Sequence, residues 1–371
     1  MFEVTHVDPS GARIGQLHTA SGVVETPAFM PVATNGSVKT LSFDTVAGLG
    51  FEALISNAFV LYLRPGLEVI EAAGGLHKFM GWDKTVFTDS GGFQMLSPEF
   101  LGKTSEKGVL FRSPIDRSRH MLTPEACIDI QNRLGSDVAM VLDDLVPFGS
   151  DRDALSAAAS RTTRWAGRCK EANRSDGQLL FAITQGGTDL ALRRRSAEAL
   201  VDIGFDGYAI GGLSIGEPKD VMSQILREQA RVLPEDRPRY LMGLGSPTEI
   251  IDAITSGMDI FDSTFPTRNA RHNGAYTFKG YLNISRGGFK NDTAPIEDSC
   301  KCYACKNHSR AYIHHLLRSR EQTGKSLMTI HNLYFMQRLM ALTKEAIREE
   351  RLLEFKEEVS GQISSKYQVK V

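Results

Sequence analysis

From Ser263 to Asn291 the chain has no Asp or Glu, although it carries 44 of them in 371 residues. The same stretch holds Arg268, Arg271, Lys279, Arg286 and Lys290. The net charge is only −1, which excludes a global field that would draw in nucleic acid. Any polyanion must instead be met locally, and an acid-free basic segment is such a place. No apolar run approaches the roughly 18 to 20 residues that cross a bilayer. The start, MFEVTHVDPSG, lacks the basic and apolar regions of a signal peptide. Cysteine is scarce as well. Five residues, three of them between Cys300 and Cys305, exclude a disulfide framework. A soluble cytoplasmic protein is expected.

Short apolar runs punctuate the remainder. Residues 2 to 27 alternate in brief pieces around DPSG and ASG and predict an antiparallel hairpin or meander. Eight β-type runs then follow: Ala28–Ala33, Ala53–Ser56, Val86–Asp89, Val138–Asp143, Leu179–Gln185, Gly207–Gly212, Arg239–Gly243 and Met258–Asp262. Runs that are apolar almost throughout suit strands covered on both faces. Amphipathic segments lie between several of them, clearest at 153–173, 191–203, 219–233 and 247–256. Together they predict a (β/α)8 barrel in the α/β class. Asp89, Asp143, Gln185, the pair Gly211 and Gly212, and Asp262 fall at or next to the C-terminal ends of five different runs, the end where barrel active sites form. A carboxylate at the mouth of a basic segment suits a nucleophile or general base beside a polyanion. Its bland counterpart is an Asp that merely caps a helix.

Cys300, Cys302 and Cys305 form C-x-C-x2-C, and His308, His314, His315 and His331 follow. Three thiolates and one imidazole make a structural Cys3His zinc site, with the choice of histidine left open by spacing. Helices are expected over 309–322 and 327–358, broken at Thr323 and Gly324, with a poorly ordered tail from Ser360.

TDSGGFQ (Thr88–Gln94), MVLDD (Met140–Asp144), QGG (Gln185–Gly187), YAIGGLSIGE (Tyr208–Glu217), YLMGLG (Tyr240–Gly245), FDSTFPTRNAR (Phe261–Arg271) and CxCxxC with a later His occur together in this order. The chain thereby resembles the tRNA-guanine transglycosylases over about residues 10 to 358. The resemblance implies a zinc-containing barrel that exchanges guanine at the wobble position of GUN-anticodon tRNAs (Asp, Asn, His, Tyr) for a 7-deazaguanine. Carried over position by position, it makes Asp262 the nucleophile and Asp89 the general acid/base. Asp143, Gln185, Gly212 and Leu213 would line the base. Phe93 and Met242 would sandwich it, with Ser90 in the same pocket. Cys300, Cys302, Cys305 and His331 would hold the zinc. Arg268, Arg271, Lys279, Arg286 and Lys290 would meet tRNA phosphates, extended by Arg310, Arg318 and Arg320.

The resemblance also frames specificity. Enzymes using preQ1 (7-aminomethyl-7-deazaguanine) typically carry Cys where this chain has Leu145, and queuine users have Val there. Ile215 replaces the Gly of queuine users and should crowd a cyclopentenediol, so preQ1 is expected, with queuine salvage as the alternative. A non-catalytic tRNA-binding subunit would lack the Asp89 and Asp262 pair. An unrelated barrel acting on a small phosphorylated substrate would need no zinc-braced basic surface, and the tRNA-type motifs argue against a DNA-modifying relative. No carboxy-terminal RNA-binding domain is expected, and the family implies a homodimer. The organisation expected is a meander (1–27), a barrel core (28–262), a basic zinc-binding subdomain with C-terminal helices (263–358) and a tail (359–371).

Overall fold

A computed structural model describes residues 1–91, 103–113 and 115–364. Strands β1 (Phe2–Val7), β2 (Arg13–Thr19) and β3 (Gly22–Thr26) form an antiparallel meander. Next come β4 (Ala28–Pro31), β5 (Ala53–Asn57) and β6 (Thr85–Asp89). The short strands β7 (Lys103–Ser105), β8 (Gly108–Arg112) and β9 (Arg119–Leu122) make a separate antiparallel sheet. Then follow β10 (Val138–Met140), β11 (Leu179–Thr184), β12 (Gly207–Ile210), β13 (Arg239–Leu241) and β14 (Ile260–Ser263).

All eight runs read as barrel strands are strands. They pair in parallel in the order β4-β14-β13-β12-β11-β10-β6-β5. A parallel bridge between Val32 and Ile55 nearly closes the ring. Most barrel-strand residues are buried, as expected where side chains fill the inside and helices cover the outside. Helices Arg152–Ala172, Leu190–Ile203, Lys219–Val232 and Pro247–Ile254 occupy the amphipathic segments to within two residues at each end.

The meander covers the N-terminal end of the barrel. Arg13 grips the buried Asp259, just before β14, through Nε at 2.8 Å and Nη2 at 2.6 Å. Ser21 N–H donates to Asp137, just before β10, at 3.0 Å, and Thr19 bonds Thr85 at the start of β6. The opposite end is left for chemistry.

Beyond β14 the short helix Phe265–Arg271 leads into a hairpin, β15 (Gly274–Thr277) with β16 (Gly280–Asn283). A second apolar cluster gathers here around Ala275, Ile284, Ile296, the three cysteines and Ile313. The long helix Gln322–Arg348 belongs to both clusters: Leu327 and Met328 pack into the second, and Leu333 through Ile347 into the barrel's.

Two expectations are corrected. Thr323 and Gly324 lie inside the long helix, and the chain breaks earlier, at 319–321, where Arg320 has φ +59°. A Cβ on Gly324 would sit 3.0 Å from Leu316 Cβ and 3.2 Å from the Leu317 nitrogen, so this glycine permits close helix approach and does not end a helix. The second break is at 349–351, where Glu350 has φ +56°, and the final helix Leu352–Ser364 buries Val359 and Ile363 where a loose tail was expected.

Candidate active site

Asp262 lies within β14 at the C-terminal mouth. It is not a helix cap, because the helix that follows is capped by Thr264. One carboxylate oxygen, Oδ1, accepts from the Tyr240 hydroxyl at 2.5 Å and from the Gly243 N–H at 2.9 Å. Burial pushes its pKa up, and these two donors oppose the rise.

Asp89 ends β6, beside Asn57 in the ladder. Asn57 caps the helix Ala58–Leu63 with Oδ1, accepting from Val60 N–H at 2.8 Å, which turns its amide nitrogen to Asp89 Oδ2 at 3.0 Å. The other Asp89 oxygen is buried with no hydrogen-bond partner among the described residues. Burial and the charge of Asp262 push Asp89 up to about 8. At neutral pH Asp89 therefore keeps its proton, whereas Asp262 is held by two donors that favour its charged form, so the two carboxylates are set apart by environment.

Asp143 follows β10 and is buried. Its Oδ2 accepts from Gln185 Nε2 at 2.7 Å and its Oδ1 from Ser90 Oγ at 3.4 Å. Burial raises its pKa to about 6, opposed first by the Gln185 hydrogen bond. Its neighbour Asp144 turns the other way, onto Arg161. Gln185 directly follows β11 and lies flat against the turn after β12. A Cβ on Gly211 would meet Gln185 Nε2 and Ile183 Cγ2, each at 2.7 Å, and one on Gly212 would meet Gln185 Oε1 at 2.7 Å. Gly212 also has φ +64°, open to glycine at little cost. Leu213 is buried, Leu145 faces Gly212, and Ile215 and Met242 are half-buried. The Glu217 carboxylate closes the turn by accepting from the Ser214 and Ile215 amides at 2.5 and 3.1 Å. Phe93 lies outside the described residues.

Asp89, Asp143, Gln185, Gly212 and Asp262 thus share one end of the barrel. Sequence reasoning missed Asn57, Tyr240 and Glu217. Asn57 and Glu217 carried a signal, an Asn at a strand end before a helix and an acid closing a glycine turn. Tyr240 looked like an ordinary core residue.

Cys300, Cys302, Cys305 and His331 are all buried, and their donor atoms lie within 4.8 Å of one another. His331 Nδ1 is 3.6, 3.7 and 3.3 Å from the three sulfurs. Its Nε2 meets the Tyr276 carbonyl at 2.7 Å, which places the ring proton there and leaves Nδ1 free to bind. Donor separations of this size match a tetrahedral thiolate–imidazole shell, with bonds of about 2.0 to 2.3 Å to the ion. The other three histidines are excluded: His314 bonds the Ile284 carbonyl, His308 stacks on Tyr312, and His315 is exposed.

Arg268, Lys279, Arg286 and Lys290 are exposed and Arg271 is half-buried, and none makes a salt bridge among the described residues. Arg310 differs, being committed to Asp292 at 2.9 Å. No helix among the described residues is long and apolar enough to cross a membrane.

Fold and site together define a (β/α)8-barrel enzyme with a carboxylate pair at its mouth and a Cys3His group that could hold a metal ion. A family model described as queuine tRNA-ribosyltransferase matches residues 8–365. The chain belongs to this family of pentosyltransferases. Its relatives include proteins named queuine tRNA-ribosyltransferase. That of Thiobacillus denitrificans is 50% identical over 354 residues, covering 95% of this chain and 96% of its own. That of Pelotomaculum thermopropionicum is 49% identical over 358 residues, 96% and 97% of the two chains. That of Caldanaerobacter subterraneus subsp. tengcongensis is 50% identical over 348 residues, 94% and 93%.

Proposed function

We propose that this enzyme exchanges guanine at the wobble position of tRNAs with a GUN anticodon for preQ1, by two displacements at the ribose C1′. The observation that carries this reading is the divided pair, Asp89 raised to about 8 and Asp262 held by Tyr240 and Gly243. The target base must first leave its loop stack. The Asp262 carboxylate attacks C1′, and the C1′–N9 bond breaks with its electron pair going to guanine. Asp89 supplies the proton that neutralises the leaving base. The incoming base returns a proton to Asp89 as its N9 attacks C1′ and expels Asp262, giving net retention as in retaining glycosidases.

Asp143 accepts from N1–H and the exocyclic amine of the base, a pattern that guanine and 7-deazaguanines offer and adenine does not. The Gln185 amide, the Gly212 amide and the Leu213 carbonyl complete the edge, with Ser90 behind Asp143 and Met242 and Phe93 on the purine faces. Leu145 against Gly212, together with Ile215, narrows the side where the 7-substituent lies, which favours the small aminomethyl group of preQ1 over queuine.

The five basic residues after Asp262 hold phosphates of the anticodon arm. Zinc is the proposed metal at Cys300, Cys302, Cys305 and His331, because three thiolates and an imidazole filling a closed shell suit it. Its role is structural. The enzyme is proposed to act in the cytoplasm as a homodimer.

The test is incorporation of labelled guanine into an unmodified tRNA with a GUC anticodon, with preQ1 and queuine as competitors. Wobble-position incorporation blocked more strongly by preQ1 is expected. Stronger competition by queuine would reverse the pocket assignment. Absence of incorporation by folded, zinc-loaded protein would remove the catalytic assignment.

A further inference from the structure

Arg193 is the fourth residue along the helix Leu190–Ile203 and is completely buried. No carboxylate lies within salt-bridge distance of it among the described residues. Its guanidinium instead donates to three main-chain carbonyls: Nε to Gly187 at 2.7 Å, Nη1 to Thr184 at 3.1 Å and Nη2 to Gly212 at 3.4 Å. Thr184 and Gly187 flank Gln185 after β11, and Gly212 belongs to the turn after β12. One rigid planar fork therefore ties together the two loops that face the base pocket. The backbone carbonyl of Arg193 is itself fixed, accepting from the buried Gln229 amide at 3.1 Å.

An unpaired buried cation is costly to a fold, so its retention asks for a use. Nη2 would lie 3.6 Å from a Cβ on Gly212, directly behind the turn, on the side where Gln185 also crowds. Because the peptide unit is planar and trans, fixing the Gly212 carbonyl also fixes the Leu213 N–H and the plane between them. Burial lowers the guanidinium to about 10, which leaves it charged at neutral pH.

We propose that Arg193 is a positioning residue for base recognition: from behind the pocket it pins the Thr184, Gly187 and Gly212 carbonyls, and with the Gly212–Leu213 peptide plane so fixed it sets the Gln185 amide, the Gly212 N–H on one side of that plane and the Leu213 carbonyl on the other against the purine edge. It touches neither base nor ribose. The inference rests on the base-exchange reading above. It predicts that Arg193 governs affinity for the free base and leaves the tRNA surface unaffected.

The experiment compares wild-type, R193K and R193Q full-length proteins. Calorimetry with 7-aminomethyl-7-deazaguanine alone gives base affinity, filter binding gives tRNA affinity, and circular dichroism melting verifies folding. The lysine keeps the charge but cannot span three carbonyls, and it carries the test if the glutamine variant fails to fold. The expected result is base affinity at least tenfold weaker in R193Q and at least threefold weaker in R193K, with tRNA affinity within twofold of wild type. A folded R193K whose melting temperature falls while base affinity stays within twofold of wild type would assign the residue to stability alone and overturn the proposal. Wild-type protein that binds no 7-deazaguanine base would instead overturn the base-exchange reading, and this inference with it.

Discussion

Tyr240 and Asn57 make two chemically identical side chains behave differently. Tyr240 gives Asp262 a hydroxyl donor, and with the Gly243 amide it favours the charged form at a site where burial resists it. Asn57 gives Asp89 one donor and leaves the other oxygen orphaned. Hydrogen bonds to charged groups contribute about 1.5 to 3 kcal/mol. Tyr240→Phe is therefore expected to lower kcat for base exchange by about 10- to 100-fold, with KM for the base nearly unchanged, as steady-state exchange kinetics would check. The protonated Asp89 also makes a pH prediction. An unfolded Asp ionises near 3.9, whereas folded Asp89 does so at about 8. Between those values the folded chain keeps a proton that the unfolded chain releases, so this group's contribution to stability falls as pH rises. Asp89→Asn removes that penalty. Its melting temperature, measured against wild type, should gain steadily from pH 5 to 8, while base exchange collapses and tRNA binding persists. A constant melting difference across that range would contradict the raised pKa. At this scale the sequence disclosed the acids, because a carboxylate ending an apolar run has few structural uses. It hid Tyr240 and Arg193, whose side chains sit in a strand and a helix like ordinary core residues and acquire a role only through contacts distant in sequence.

Barrel strands were legible for the reason they are stable. Each must be apolar on both faces, and that leaves a continuous signature bounded by polar residues. The insertion β7–β9 left none, because β7 is wholly exposed, β9 is exposed at Arg119 and Met121, and among the described residues its apolar anchor is contributed by Val109, Phe111 and Leu122. Gly324 misled for a different reason. Glycine inside a helical pattern signals either a break or a close approach, and only the position of the Arg310–Arg318 helix decides which. Gly324→Val tests the distinction. Its Cβ would press on Leu316 and on the Leu317 backbone nitrogen, which cannot move independently. Overpacking of this kind costs about 1 to 3 kcal/mol, and chemical denaturation should show a loss of that size. At a helical position free of such a contact the same replacement would leave stability nearly unchanged, because valine is no worse a helix former than glycine.

The molecule as a whole joins its chemical end to its basic surface through the long helix Gln322–Arg348. Adjacent residues on that helix serve both. His331 offers Nδ1 to the three cysteines while its Nε2 holds the Tyr276 carbonyl. Asn332 accepts from the Tyr276 N–H at 3.0 Å and donates to the Pro266 and Gly274 carbonyls at 3.0 and 2.9 Å. The segment between Pro266 and Tyr276 carries Arg268 and Arg271 and begins four residues after Asp262. A metal that fixes His331 therefore fixes the register of the arginines against Asp262, although it lies outside the pocket. Two affinities that a general loss of structure would lower together are thereby separable. One zinc per chain is expected by elemental analysis of purified protein. Cys302→Ser, or removal of the ion by a chelator, should release the Cys300–Cys305 loop from the long helix. Apparent affinity for tRNA should then fall at least tenfold, and its dependence on salt should weaken, because log K falls with log[salt] by about 0.7 to 0.9 for each phosphate neutralised. Binding of the free 7-deazaguanine base, whose pocket is built on β6, β10, β11 and β12, should stay within a few-fold of wild type. Loss of both affinities in step would mean that the metal holds up the barrel itself, and the division of labour between barrel mouth and metal-braced surface would have to be abandoned.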